Sequence, residues 1–453
     1  MPGSRVDSKV LRVALFVGLA IFYVVAATEH ASRVNTLKAR GDQSGYLADG
    51  QDLYANWHGE TPPIMIGERN RMPLYAAFLA AFWSPAWSDD DFFIKAKIWN
   101  IYLSLALLTV LAIVFAYYLP PLPATNLTLI VAFGYFIFKA GYTQAELLFY
   151  FLFFIAFLLF WDILGRPARL GATIARAAAA GAVAALAHLT KAAMPPLLAI
   201  FVLAAAIDVF RRRSTEPKAA RAKAGAVILV CFAFLFVLSP YLRTNKAVFG
   251  RYFYNVNTTF YMWYDDWPQA SVGTIKHGDG VGWPKMPAED LPSASKYWRE
   301  HSVMQIATRV AAGFWDMVDR SYKTYWYFKY VVLYVACALA VLISRRKDLN
   351  ARIRANPAPV VFLVLYAAVY LFGIAFYAPV SGTGTTRFVI AHLTPLFFIL
   401  SLLLARDWLS TAEWRVAGTR VTLQHFHLLV FISLLFDIAF LIWPRLMTTY
   451  GGF

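Results

Sequence analysis

Long apolar runs alternate with short polar segments along most of the 453-residue chain. Because a membrane-spanning helix needs about 20 mostly apolar residues, this pattern predicts eleven such helices, to within one or two. They cover residues 11–27, 93–117, 125–138, 145–162, 172–189, 195–209, 224–241, 328–343, 359–377, 388–405 and 425–443. The predicted fold class is therefore an all-α polytopic membrane protein.

Two polar segments, residues 28–92 and 243–326, are too long to be simple connectors. Long loops of this kind commonly carry function. They divide the chain into a first span at 1–27, a first loop at 28–92, spans two to seven at 93–242, a second loop or subdomain at 243–326, and spans eight to eleven at 327–453. In the first loop, Pro73 is suited to open a helix, and the 16-residue apolar segment that ends near Trp87 is expected to lie in the membrane interface.

The composition agrees with a membrane protein, since 60% of the residues are hydrophobic, only 15% are charged and the mean hydropathy is +0.54. A soluble enzyme is excluded. The net charge of +16 would suit a nucleic-acid-binding protein, but the basic residues cluster in short connections, so no nucleic-acid partner is expected. These connections are residues 5–12, 166–176, 211–223, 345–354 and 406–420. The positive-inside rule then places the N-terminus in the cytoplasm and both long loops outside.

The first loop contains a cluster of carboxylates. Asp42 and Asp49 are seven residues apart, so they share a face if the segment is helical, with Tyr46 between them. Asp42 at the outer membrane surface is a candidate general base. The structural alternative is that Asp42 caps the following helix and that the other carboxylates are solvated.

Four further charged residues lie at predicted outer span ends. Glu146 opens the fourth span, where an acidic residue either stabilises the helix dipole or takes part in chemistry. Lys191, Arg243 and Arg387 are isolated cations, which either extend to lipid headgroups or hold a phosphate at the bilayer surface. The two cysteines, Cys231 and Cys337, lie in apolar runs, and the eight histidines lack the spacing of a metal site, so no metal is predicted.

Several short motifs, in this order, resemble those of the polyprenol-dependent membrane glycosyltransferases of the GT-C fold, in the family related to protein mannosyltransferases and aminoarabinose transferases. The motifs are Gly41-Asp42 with Tyr46, Arg71-Met72-Pro73-Leu74-Tyr75, Glu146-Leu147-Leu148, Leu189-Thr190-Lys191, Pro240-Tyr241-Leu242-Arg243-Thr244-Asn245 with Phe249-Gly250, and Arg387-Phe388 with Pro395.

Three features of the chain depart from the family pattern. Gln43 stands where many relatives carry a second acid, Thr244 lies inside the Arg-Asn stretch, and the segment after Phe260 matches no family motif. Because Gln43 is not acidic, a second catalytic carboxylate is not expected at that position. The segment after Phe260 is expected to determine which acceptor is used.

The resemblance implies transfer of a sugar from a polyprenyl-phosphate donor to an acceptor hydroxyl of a saccharide, lipid or protein, with inversion. The expected location is the bacterial plasma membrane, with the active site on the extracytoplasmic side and no cofactor. Asp42 would be the base and Glu146 would orient the acceptor or the cations. Lys191, Arg243 and Arg387 would bind the donor phosphate. The motifs add four active-site candidates, namely Tyr46, Asp49, Arg71 and Tyr75.

Two other functions remain open. A transporter or flippase of lipid-linked saccharides would place ionisable groups near the bilayer midplane, where Asp437 is the clear exception in otherwise uncharged spans. An O-antigen ligase or polymerase would share the donor and the compartment, but its large loop usually falls late in the chain. The polar loop directly after the first span favours the glycosyltransferase.

Overall fold

A computed structural model describes residues 8–59, 71–165, 170–405, 413–416 and 419–450. Arg5, Arg166, Arg169 and Arg406, which contribute to the charge pattern, lie outside the described residues. Within these ranges the chain is almost entirely helical, and the prediction of an all-α polytopic membrane protein is confirmed.

Fifteen helices make up the framework within the described ranges. In chain order they are α1 (Ser8–Arg33), α2 (Gln43–Trp57), α3 (Pro73–Ala80), α4 (Asp89–Tyr118), α5 (Pro121–Ala140), α6 (Glu146–Gly165), α7 (Leu170–Thr190), α8 (Met194–Arg212), α9 (Pro217–Phe249), α10 (Val303–Thr324), α11 (Phe328–Ser344), α12 (Arg346–Ala355), α13 (Ala358–Ser381), α14 (Thr385–Leu404) and α15 (Leu423–Thr448).

Ten of these helices are long and apolar enough to cross a membrane, and α10 with α11 forms a bent pair that brings the number to eleven in the described ranges. All eleven predicted runs are helical. The two shortest predicted runs, 125–138 and 195–209, belong to longer helices, α5 with 20 residues and α8 with 19 residues. Helix α9 also runs past its predicted end at residue 241, through Pro240, to Phe249, and stops at Gly250 with φ of 70°.

Sequence signals explain several of these boundaries. Ser88 and Asp91 form a capping box at the start of α4, and prolines occupy the first turn of α3, α5, α8 and α9, where their missing N–H costs no hydrogen bond. The helix predicted from Pro73 toward Trp87 ends earlier, at Ala80. Ser84 and Pro85 follow this end, and both residue types favour turns over helix interiors.

The first loop packs as a small unit against the bundle. Tyr46 and Leu47 of α2 and Tyr75 and Leu79 of α3 form a buried apolar cluster with residues of α4. The second loop builds a separate core around Phe249, Tyr254, Val256, Phe260 and Tyr261. A short antiparallel hairpin, β1 (Glu413–Val416) and β2 (Thr419–Thr422), precedes α15.

Helices α5 and α6 are the most buried of the spanning helices. One end of the bundle brings together four segments of the chain. They are the first loop, the turn between α5 and α6, the turn between α7 and α8, and the start of α14. We call this end of the bundle the site end.

Candidate active site

Four of the predicted charged side chains meet at the site end. The Asp42 Oδ2 atom lies 2.6 Å from Arg387 Nη1, and the Glu146 Oε1 atom lies 2.8 Å from Lys191 Nζ. The two pairs are joined by a distance of 3.8 Å between Arg387 Nη1 and Glu146 Oε1. The first loop, α6, the α7–α8 turn and α14 therefore each contribute one charge to a single cluster.

Asp42 occupies the N-cap position of α2, but its side chain makes no capping hydrogen bond. The carboxylate instead reaches Arg387, 345 residues later in the chain. The preceding Gly41 has φ of 62°, a left-handed conformation that glycine adopts without strain and that brings the chain to this position. The capping alternative for Asp42 is thus not the one adopted.

Gln43 anchors the Asp42 backbone to the bundle. Its fully buried amide exchanges two hydrogen bonds with the Asn35 amide, of 2.7 and 2.9 Å, and accepts a third from the backbone N–H of Thr143. The Gln43 Nε2 group also donates to the carbonyls of Leu37 and Arg40. A glutamate cannot supply these donors, so the departure from the two-acid motif has a structural reason.

Glu146 is almost completely buried, with 1% of its side chain exposed, and Lys191 is 17% exposed. Burial lowers the pKa of Lys191 below its usual range, and the neighbouring Glu146 carboxylate opposes this effect. The Arg387 backbone carbonyl accepts a hydrogen bond from the Tyr150 hydroxyl, which fixes the start of α14 against α6.

Two buried polar atoms of the cluster, Glu146 Oε2 and Arg387 Nε, have no hydrogen-bond partner among the described residues. Buried polar atoms are nearly always paired, and the exceptions concentrate at functional sites. The cluster therefore retains one acceptor and one donor for a bound molecule.

Lys139, in the last turn of α5, is a charged residue of this site that the sequence analysis did not select. It is 1% exposed and lies in the electrostatic environment of Glu146, Arg387 and Lys191. The site thus holds the cations Lys191 and Arg387 against two carboxylates, with the buried Lys139 amine beside them. The available signal was a lysine at the end of an apolar run, directly before the Gly141 turn.

The remaining first-loop candidates form a second group beside the charged cluster. The Arg71 Nε atom lies 2.8 Å from Asp49 Oδ2, and its guanidinium packs against Gly45, where an added Cβ would approach within 2.3 Å. The Tyr46 and Tyr75 rings meet edge to face at 5.2 Å. Burial raises the pKa of both tyrosine hydroxyls well above its usual range, so neither phenol is a suitable base.

Tyr75 has a clear structural role. Its hydroxyl donates to Asn100 Oδ1, and Asn100 Nδ2 in turn donates to the carbonyls of Ala140 and Tyr142. This chain of hydrogen bonds ties α3 and α4 to the α5–α6 turn, directly beside Lys139 and Glu146.

Arg243 is placed differently from the other predicted cations. Its side chain on α9 is exposed and, among the described residues, forms no hydrogen bond or ion pair with the charged cluster. No group of three or more histidine, cysteine, aspartate or glutamate side chains in the described ranges lies close enough to hold a metal ion. The assignments of Arg243 and of a metal-free site therefore stay predictions.

Comparisons with known proteins give little beyond this geometry. Neither a scan against models of protein families nor a search of curated proteins gives a match. Among solved structures, the chain is similar to ArnT from Cupriavidus metallidurans bound to undecaprenyl phosphate. The identity is 12% and the TM-score is 0.43, over 97% of this chain and 74% of that chain.

Proposed function

We propose that the protein is a membrane glycosyltransferase of the GT-C type. It transfers a sugar from a polyprenyl-phosphate donor to an acceptor hydroxyl at the extracytoplasmic face of the bacterial plasma membrane. The observation that carries the proposal is the charged cluster at the site end, in which Asp42 is held by Arg387 beside the buried Glu146–Lys191 pair.

The cluster has the properties that a lipid phosphate requires. It places the cations Lys191 and Arg387, with the Lys139 amine beside them, against two carboxylates, and Arg387 Nε is a buried donor without a partner among the described residues. It also lies at the ends of spanning helices, where a phosphate attached to a hydrocarbon tail would reside. Charge stabilisation is stronger in such a partly desolvated position than in water.

The proposed reaction needs a single base. Asp42 accepts the proton of the acceptor hydroxyl while the acceptor oxygen forms a bond to the anomeric carbon. The bond between that carbon and the phosphate oxygen breaks, and polyprenyl phosphate departs with the electron pair. Lys191 and Arg387 stabilise its added negative charge, and Lys139 supports them. In-line attack inverts the anomeric centre. Since phosphate is a good leaving group, no protonating acid is needed, in contrast to glycosidases.

Asp42 changes its partner in this scheme. As the donor phosphate binds Arg387, the Asp42 carboxylate exchanges its ion pair for the acceptor hydroxyl. Glu146 remains paired with Lys191 and orients that ammonium group toward the phosphate. Asp49 and Arg71 shape the neighbouring part of the first loop, where an acceptor would approach.

The test compares Asp42→Asn with Asp52→Asn, an exposed carboxylate on the same helix, in proteoliposomes. We expect Asp42→Asn to bind undecaprenyl phosphate normally, but to lose about 10²–10⁴-fold of sugar transfer from a panel of polyprenyl-phosphate sugars. The matched control should retain full transfer. Full activity of Asp42→Asn would remove Asp42 as the base.

A second measurement tests the phosphate site separately. Lys191→Ala should weaken undecaprenyl phosphate binding at least tenfold, which corresponds to about 1.4 kcal/mol. If Lys191→Ala leaves this affinity unchanged, the phosphate role is wrong. Movement of a lipid-linked saccharide across the bilayer without sugar transfer would instead favour the transporter or flippase, and polymer formation would favour an O-antigen ligase or polymerase.

A further inference from the structure

Helix α10 carries an exposed apolar strip that no other part of the described chain covers. Successive helix residues are about 100° apart, so Val303, Met304, Phe314, Trp315 and Tyr322 fall within an arc of about 120°. Their exposed fractions are 83%, 74%, 47%, 72% and 69%. An apolar surface of this kind marks an interaction site.

The junction between α10 and α11 sets the depth of this helix. The backbone N–H of Trp326 donates to the carbonyl of Gly134, which lies six residues before the end of α5. At 1.5 Å per residue, the junction is roughly 9 Å inside the site end of the bundle. Helix α11 has only 17 residues, about 25 Å, against a hydrocarbon core of about 30 Å. It therefore begins inside the membrane.

Helix α10 then leaves this junction at a steep angle. The two helices are bent by 116° at the break, so α10 runs close to the membrane plane if α11 crosses it. A helix that lies in this plane at the membrane interface presents an apolar side to acyl chains and a polar side to water and headgroups.

The other sides of α10 meet this requirement. Opposite the strip, Arg309 is buried and donates to the Phe376 carbonyl and the Tyr297 hydroxyl. The same polar side carries two i,i+4 ion pairs, Asp316 with Arg320 and Asp319 with Lys323. Its charges are therefore internally compensated.

A groove between α10 and α13 extends the apolar surface. It has a volume of about 730 Å³, and its lining is almost entirely apolar. It includes Leu371 and Phe372 of α13, which are themselves 46% and 47% exposed. The groove is thus continuous with the lipid-facing surface of a spanning helix.

We propose that α10 is embedded in the leaflet at the site end, with its apolar strip among the acyl chains and one acyl chain of a bulk lipid in the α10–α13 groove. This inference does not rest on the proposed enzymatic function. It makes α10 the element that fixes the second loop to the membrane.

Spin labelling of the full chain in phosphatidylcholine vesicles tests the proposal. In a variant with Cys231→Ala and Cys337→Ala, single cysteines replace Met304, Trp315 or Tyr322 on the strip. Matched cysteines replace Ala312 or Lys323, which are exposed on the polar side of the same helix. Collision with oxygen, which concentrates in lipid, is compared with collision with a water-soluble nickel complex.

We expect oxygen collisions to dominate on the strip and nickel collisions to dominate on the polar side. Dominant nickel collisions on both sides would overturn the proposal, because the helix would then lie in water. Protection of the strip from both reagents would also overturn it, since another protein surface, such as a second copy of the chain, would cover the strip.

The native tryptophan provides a second measurement that needs no cysteine variant. The fluorescence difference between the unchanged protein and Trp315→Phe isolates Trp315. Lipids with brominated acyl chains should quench this component more than aqueous acrylamide does, and the reverse order would contradict a lipid-embedded strip.

Discussion

At the residue scale, the side chains of the candidate site bind distant partners in preference to nearby ones. Asp42 stands where it would cap α2, yet it pairs with Arg387. Its neighbour Gln43 supplies the support that this requires, through a buried amide pair with Asn35 and donors to two backbone carbonyls. The buried Gln43 thus positions the neighbouring Asp42.

Gln43→Glu, which introduces the second acid of the motif that the first loop resembles, should therefore destabilise the protein. It removes the Nε2 donor and directs a buried carboxylate at the oxygens of Asn35, Leu37 and Arg40, at a cost of about 1–3 kcal/mol. Thermal unfolding in detergent measures this cost. Gln51→Glu, which affects a surface hydrogen bond to Asp89, is the matched control. Equal stability of the two variants would contradict the anchoring role.

The pH dependence of donor binding should report Lys191. Because burial lowers its pKa, the ammonium loses its charge at a pH below its usual value of about 10.4. Affinity for undecaprenyl phosphate should therefore fall on the alkaline side before an exposed lysine would titrate. Lys191→Arg keeps its charge, so the fall should move to higher pH. If the affinity of Lys191→Arg falls at the same alkaline pH as that of the unchanged protein, the fall belongs to the titration of another group.

Individual charges were predictable, whereas their pairing was not. Glu146, Lys191 and Arg387 stood out because each is an isolated charge at the end of a predicted span, and Asp42 stood out as part of a carboxylate cluster in the first loop. Lys139 has the same position, but it resembled a harmless span-end lysine. Sequence spacing gives no information on a contact between residues 345 positions apart.

At the element scale, the apolar periodicity located all eleven runs because a spanning helix must be apolar over its whole length. It was less informative for short and for amphipathic helices. The segment after Pro73 forms only eight helical residues, and α10, which is amphipathic and contains five charged residues, was assigned to a polar loop. Its close packing on α13 depends on tertiary contacts.

Gly313 permits this close packing. A Cβ at this position would come within 1.9 Å of the Ala375 carbonyl oxygen of α13, and backbone cannot move aside as a flexible side chain can. Gly313→Ala should therefore separate the helices and cost about 1–3 kcal/mol. Gly373→Ala on α13, which meets nothing within 4 Å, should be neutral or stabilising. Thermal unfolding of both variants checks the prediction, and equal effects would refute it.

At the scale of the whole molecule, the charge at Asp437 that favoured a transporter has a structural explanation. Its carboxylate in α15 lies 2.5 Å from Lys329 Nζ and accepts a hydrogen bond from the Tyr330 hydroxyl. Both partners lie at the start of α11. The pair therefore fastens a short, recessed helix to the last spanning helix of the chain.

Lys329→Met should destabilise the protein by about 3 kcal/mol, because it leaves a buried carboxylate without its counter-charge. The double variant Lys329→Met with Asp437→Leu should recover most of this loss, since no buried charge remains. A double-mutant cycle on unfolding free energies measures the coupling. Additive effects of the two substitutions would show that the ion pair does not fasten the helices.

The distance along the chain between Asp42 and Arg387 has a consequence for biosynthesis. Glu146 and Lys191 are 45 residues apart and can pair early, while the second pair spans 345 residues. A ribosome must therefore complete most of the spanning helices before Arg387 is made. Until then the Asp42 carboxylate is present without its partner, so an incompletely synthesised chain lacks the complete charged cluster.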